Sequence, residues 1–162
     1  MIDFADFQLL SSNICTLRET SLDSVSNEFM TLSNLCCVNF DKLKEEYTRP
    51  LQLSEVPKSV DALLVTRDDY VFLIEFKNGA FRNKKIFDVR LKLFDSLLIL
   101  TDVLKVDITH TRERFNFILV YNEERNPISE ISEILARRAN TKFTRFSLER
   151  FESLYFKKVF RD

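Results

Sequence analysis

The stretch Ser59-Val60-Asp61-Ala62-Leu63-Leu64-Val65-Thr66, then Arg67-Asp68-Asp69, then Tyr70-Val71-Phe72-Leu73-Ile74-Glu75-Phe76-Lys77-Asn78 holds two β-favouring runs around a polar turn. The second run, Tyr70–Lys77, is apolar through Phe76 except at Glu75, the pattern of a strand buried on both faces at the centre of its sheet. Side chains alternate along a strand, so Val71, Leu73, Glu75 and Lys77 share one face. On that face two apolar residues are followed by a carboxylate and an ammonium, charges too costly to bury unless paired or bound. If the two runs form a hairpin, Asp61 comes beside Glu75. Two carboxylates held together repel each other and gain from a shared divalent cation, with oxygen-only ligands favouring Mg²⁺ or Mn²⁺. Lys77 beside such a pair is suited to orienting a water or stabilising charge on a phosphate, the layout of metal-assisted phosphodiester hydrolysis.

Working outward, Asn78-Gly79 ends the strand with the only glycine of the chain. Lys84 to about Leu104 reads as a long helix with Ile86, Val89, Leu93, Leu97 and Leu100 inward. Phe115–Tyr121 is a second buried strand, Ile128–Ala139 a helix, Lys142–Phe146 a short strand and Leu148–Val159 a closing amphipathic helix. Upstream, Ser21 to Tyr47 lacks Gly and Pro, and Val25, Phe29, Leu32, Cys36, Phe40, Leu43 and Tyr47 recur in steps of three and four. That spacing predicts one amphipathic helix, or two broken near Cys37-Val38-Asn39. Pro50 and Pro57 bracket a connector with room for a short strand near Leu51–Val56. Helices separating strands imply crossovers, hence an α/β fold with a mixed sheet flanked by helices and extra helices at the C-terminal end.

The 162 residues suit a single domain, 1–162, with 45% hydrophobic and 30% charged residues and no low-complexity linker. No apolar run is long enough to span a bilayer, and Met1-Ile2-Asp3-Phe4-Ala5-Asp6 lacks a signal-peptide pattern, so no membrane is expected. Three cysteines, Cys15, Cys36 and Cys37, have no metal-ligand spacing and point to a cytoplasmic location with thiols used as small core residues. The net charge of −1 hides an asymmetry: residues 1–75 carry 6 Lys/Arg against 13 Asp/Glu, and residues 76–162 carry 18 against 12. The basic second part is compatible with a polyanionic partner.

Ser59-Val60-Asp61 followed by Ile74-Glu75-Phe76-Lys77-Asn78 resembles the PD-(D/E)XK nuclease superfamily, with Val60 in place of the motif proline. The resemblance covers roughly residues 20–121 and implies a restriction-endonuclease-like αβββαβ core. It also implies Mg²⁺ or Mn²⁺ held by Asp61 and Glu75, and Lys77 as a catalytic lysine. The superfamily often adds a Glu from the helix before the sheet, for which Glu28 and Glu46 are candidates, Glu28 first. It often adds a basic residue from the following helix, for which Arg90 and Lys92 are candidates. Together with Lys84 and Lys85 these would contact nucleic acid, DNA favoured over RNA. A homodimer, or a subunit of a larger defence or repair system, is the setting the resemblance implies.

Plainer readings stand beside these. Lys84-Lys85, Arg112/Arg114 and Arg137-Arg138 also fit solvated faces, His110 a turn residue and Asp68-Asp69 a hairpin turn. Asp95, Asp102 and Asp107 read as solvent-facing, and the phenylalanines as core rather than base-stacking platforms. Two other functions compete with a nuclease. One is a non-catalytic protein on the same fold, binding nucleic acid or a protein, which the near-neutral charge favours. The other is an internal ion pair in an unrelated fold, with Asp61 far from Glu75.

Overall fold

The computed structural model describes residues 6–65, 70–80, 83–122, 125 and 143–147, with side chains undescribed at 83–86, 108, 112 and 143–147. In chain order the elements are α1 (Gln8–Ser11), β1 (Ile14–Thr16), α2 (Leu17–Thr20), β2 (Leu22–Asp23), β3 (Glu28–Phe29), β4 (Cys36–Asn39) and α3 (Phe40–Thr48). A 3₁₀ turn, Arg49–Leu51, follows, then β5 (Ala62–Val65), β6 (Val71–Lys77), α4 (Asn83–Leu104), α5 (Ile108–Arg114), β7 (Phe115–Tyr121) and β8 (Phe143–Ser147). The helices expected at Ile128–Ala139 and Leu148–Val159, the Arg67-Asp68-Asp69 turn and Arg137-Arg138 lie outside the described residues.

Six strands form one mixed sheet in the order β1-β4-β5-β6-β7-β8. β4, β5 and β6 are successively antiparallel, and β7 and β8 add in parallel, so α4 is the crossover from β6 to β7. β6 lies between β5 and β7, and its residues are buried on both faces up to Phe76, as its continuous apolar run requires. Odd-numbered Val71, Leu73, Phe117 and Leu119 pack with Leu10, Phe40, Leu43, Val89, Leu93 and Leu100 under α1, α3 and α4. Even-numbered Phe72, Ile74, Phe76, Ile118 and Val120 pack on the opposite face with Leu17, Met30 and Cys37. Glu75 and Lys77 therefore project to the face covered by α4.

The Ser21–Tyr47 segment is not one helix. Only its last part, from Phe40, is helical, capped by the Asn39 side chain accepting from the Lys42 amide at 3.0 Å. Earlier, short polar side chains capture the backbone in turns: Asp23 Oδ1 accepts from the Val25 amide, Thr31 Oγ1 from Ser33 and Ser33 Oγ from Leu35. Asn27 takes the left-handed conformation, φ 56°, between β2 and β3. Val25 and Leu32, inward on the expected helix, are 94% and 70% exposed. The strand expected near Leu51–Val56 is absent as well. Pro50 sits in the 3₁₀ turn, Gln52 follows with φ 48°, and β4 occupies the sheet position beside β5. The polar stretch around His110 is helix α5, with Asp107 accepting from the His110 amide as its N-cap. Of the thiols, Cys37 is buried and Cys15 half-buried, but Cys36 is exposed. Among the described residues no helix is long and apolar enough to cross a membrane.

Candidate metal and phosphate site

β5 and β6 bring the motif together. Their register pairs Ala62 with Ile74 and Leu63 with Leu73, so one further step sets Asp61 opposite Glu75. The pairing is real at that step: the Asp61 amide donates to Ile74 O at 3.0 Å, and Asp61 Oδ2 accepts from the Phe76 amide at 2.6 Å. Glu75 is fully buried, and its Oε1 lies 2.5 Å from Lys77 Nζ and 2.8 Å from Lys92 Nζ. Lys92 Nζ also donates to Glu75 Oε2 at 3.0 Å and reaches Asp61 Oδ1 at 3.5 Å. Both carboxylates thus touch one ammonium, and the sum of the 2.8 and 3.5 Å contacts is the upper limit of the oxygen–oxygen separation. The alternative that leaves Asp61 far from Glu75 is overturned by this contact.

Burial and the neighbouring Glu75 charge push the Asp61 carboxyl up to about 8, against the pull of Lys92, the Phe76 amide and Lys77. Burial also works against the Lys92 ammonium. The charges of Glu75 and Asp61 outweigh it and hold Lys92 above the ordinary lysine value. Oε1 of Glu75 has ionic contacts with both lysines but no directed hydrogen bond. Two buried acidic side chains held this close, with the Glu75 charge pushing the Asp61 carboxyl up, are a pair whose oxygens could hold a divalent cation. Mg²⁺ in particular is commonly held by one or two carboxylates and completes its shell with water and substrate oxygens. Among the described residues no third His, Cys, Asp or Glu joins these two in a metal-holding group.

The Glu28 expectation is corrected. Glu28 lies on exposed β3, paired across from Asp23 in a hairpin rather than on a helix flanking the sheet. Glu46 is on α3 but turns away, accepting from Asn13 Nδ2 at 3.0 Å and Ser12 Oγ at 3.3 Å. The helix carboxylate that reaches toward the site is Asp41, which accepts from Ser59 Oγ and bears electrostatically on Lys92. Of the two basic candidates on α4, Lys92 enters the site. Arg90, two residues earlier, is rotated by about 200° around the helix axis and half-buried on another face. Lys84 and Lys85 fall in the first turn of α4, and their side chains are outside the described residues. Of the aspartates expected to face solvent, Asp95 accepts from the Lys58 amide at 2.8 Å and Asp102 from Tyr47 Oη at 2.9 Å.

The end of β6 opens on a cleft of about 380 Å³ lined by Asp61, Phe76 and Lys77 on one side and by Asp23, Val25 and Ser26 of the hairpin on the other. Asn78 ties the two walls. Its Nδ2 donates to Asp23 Oδ2 at 2.9 Å and Ser26 Oγ at 3.1 Å, and its Oδ1 accepts from Asn122 Nδ2 at 3.0 Å. Arg125 Nη1 donates to the Asn78 carbonyl at 3.4 Å and also lines the cleft. Sequence reading treated Asn78 only as the end of a strand. The one available signal was a polar amide directly after a buried run, a position where an amide left unpaired would be costly.

Compared with family models, with curated proteins and with solved structures, the chain finds no match in any of the three.

Proposed function

We propose that this chain is a divalent-metal-dependent nuclease of the PD-(D/E)XK type, hydrolysing phosphodiester bonds, with DNA favoured over RNA. The observation that carries the reading is the convergence of Asp61, Glu75 and Lys77 at one end of the central strand, where Asp61 and Lys77 line the cleft and Glu75 is buried beside them. The β4-β5-β6 antiparallel set followed by α4 and parallel β7 supports a restriction-endonuclease-like core. One feature departs from it: α3 follows the first of these strands instead of preceding it.

Asp61 and Glu75 would hold Mg²⁺ or Mn²⁺, which when bound supplies Lewis-acid stabilisation and lowers the pKa of a coordinated water. Lys77, 26% exposed and at the cleft wall, holds its ammonium against Glu75 while facing the space a phosphate would enter. There it orients a water and offsets charge developing on a non-bridging oxygen. The Phe76 amide fixes Asp61 Oδ2, so the carboxylate keeps one orientation. Arg125 and Lys92 add positive charge around the same strand end.

A second reading rests on the same lysines. With Lys77 and Lys92 both against Glu75 and Lys92 also reaching Asp61, the acidic groups of the site already have cationic partners, which suits a non-catalytic protein that binds nucleic acid or a protein partner. Calorimetric titration with Mn²⁺, and incubation with plasmid and single-stranded DNA and RNA, separates the two. Wild type should bind metal and cut a substrate that a Glu75→Ala/Lys77→Ala double variant spares. Metal binding without any cleavage selects the second reading, and neither binding nor cleavage removes the first.

A further inference from the structure

Lys92 is built into its position. Along one side of α4, Asp88 pairs with Lys58 Nζ at 2.5 Å, Asp95 accepts from the Lys58 amide at 2.8 Å, and Ser96 Oγ accepts from the Val60 amide at 3.0 Å. Four contacts of this helix, Lys92 included, therefore grip the 58–61 segment, and the turn holding Lys92 is pressed over Asp61. Val89, Leu93 and Ser96 around it are buried, and the Lys92 side chain keeps only 20% of its exposure. Lysine is seldom held this way, because its long stem loses rotamer freedom and its ammonium loses water.

What it gains is contact with three carboxylate oxygens: Glu75 Oε1 at 2.8 Å, Glu75 Oε2 at 3.0 Å and Asp61 Oδ1 at 3.5 Å. These are oxygens a divalent cation would use, at bond lengths of roughly 2.0–2.6 Å. An ammonium and a divalent ion cannot both sit at such distances from the same pair of carboxylates without strong mutual repulsion.

Resting on the metal-site reading above, we propose that Lys92 is a resident counter-cation of Asp61 and Glu75, which a divalent ion must displace in order to bind. The lysine holds the two side chains together before metal arrives, and it sets the metal affinity by competing for the same oxygens. Once displaced, its ammonium stays on α4 within reach of the strand end, where metal, Lys77 and Lys92 together would present an excess of positive charge to a phosphodiester. Metal capture is thereby coupled to capture of the polyanion.

The test uses the full chain and MnCl₂ alone, without nucleic acid. Calorimetry on wild type, Lys92→Gln and Lys92→Met should show both variants binding Mn²⁺ at least about tenfold more tightly than wild type. In parallel, acylation of Lys92 by an amine-reactive ester, read by mass spectrometry, should rise several-fold in wild type when Mn²⁺ is added, and stay unchanged in Glu75→Gln. The labelling needs no substitution at Lys92, so it stands even if the variants fail to fold. Equal or weaker Mn²⁺ affinity in the Lys92 variants, or Lys92 labelling indifferent to saturating Mn²⁺, overturns the counter-cation role and leaves the metal site intact. Binding by the variants but not by wild type supports it in its strongest form. Absence of Mn²⁺ binding in wild type and both variants sinks the metal site itself.

Discussion

Asp61 Oδ2 accepts the Phe76 backbone amide at 2.6 Å, so a side chain continues the β5–β6 pairing one step beyond the backbone ladder. One oxygen of the carboxylate is spent on the sheet, and the other faces Lys92 at 3.5 Å. This division of labour separates two effects of mutation. Asp61→Asn keeps an acceptor for the Phe76 amide and should retain near-native stability while losing Mn²⁺ binding. Asp61→Ala leaves that amide without its partner and should in addition cost about 1–3 kcal/mol, the usual penalty for an orphaned buried donor. Urea unfolding of both variants, beside Mn²⁺ calorimetry, checks the pair. Equal loss of stability in the two would deny Asp61 its structural half.

The raised Asp61 carboxyl predicts two opposite pH trends. The folded state holds this proton up to about 8, whereas the free carboxyl gives it up near 3.8. Between those values the folded chain binds more protons than the unfolded one. This group's contribution to stability is therefore fully present below the lower value and is lost as pH rises through the higher. Metal binding runs the other way, because the ligand must be deprotonated, so Mn²⁺ affinity should rise with pH until about 8 and then level off. Thermal melts and calorimetry between pH 5 and about 9 would show both trends, and Asp61→Asn should remove the Asp61 component of the melts.

The central strands and the long helix that carry the candidate site were legible in the sequence for physical reasons that failed elsewhere. The runs at 70–77 and 115–121 are apolar on both faces, a pattern that central parallel strands require, and β6 and β7 fall within a residue of them. Val89, Leu93 and Leu100 are buried along α4 as their helical spacing demands. Residues 21–39 carry the same three-and-four spacing by coincidence. There Asp, Thr and Ser side chains take over the backbone hydrogen bonds, and no helix forms. Asp41 and Asn78 escaped notice because their partners, Ser59 and Asp23, lie 18 and 55 residues away. Lys92 and Arg90 could not be ranked without the rotation of α4 about its axis, although Lys92 alone lies within one turn of both Val89 and Ser96.

Glu28 offers a control drawn from a failed expectation. It is exposed on β3 and absent from the cleft lining. Glu28→Gln should leave Mn²⁺ affinity and any cleavage within about twofold of wild type, and stability within the roughly ±0.5 kcal/mol of an ordinary surface change. A tenfold loss of metal affinity would mean that the hairpin folds over the site when metal binds.

Asn78 should matter more than its place after the strand suggests. Asn78→Ala removes donors to Asp23 and Ser26 and the acceptor for Asn122 in one step, at a part-buried junction in which Asn78 itself is buried. At about 0.5–1.5 kcal/mol for each net hydrogen bond, a loss of about 2–4 kcal/mol is expected. The hairpin at residues 22–29 should become the first site cut in limited proteolysis, since its Asp23 and Ser26 bonds fasten it to the end of β6. Asn78→Asp would keep the acceptor for Asn122 but set a carboxylate against Asp23. It should therefore destabilise more at neutral pH than at acid pH, a dependence that Asn78→Ala lacks.

Glu75→Gln isolates charge from packing, because glutamine fills the same buried space and still offers an acceptor to Lys77 and Lys92. Two ammoniums then share one remaining carboxylate, and breaking a buried pair from one side typically costs about 3–5 kcal/mol. The Asp61 carboxyl reports the change directly. The Glu75 charge is the second cause, after burial, of its upward shift, and the two lysines oppose that shift. With the Glu75 charge gone and both lysines in place, Asp61 should titrate well below about 8, as followed by carboxylate ¹³C shifts in selectively labelled protein. An Asp61 titration unmoved by Glu75→Gln would show that burial alone sets it, and that the two carboxylates do not feel each other strongly enough to gain from a shared cation.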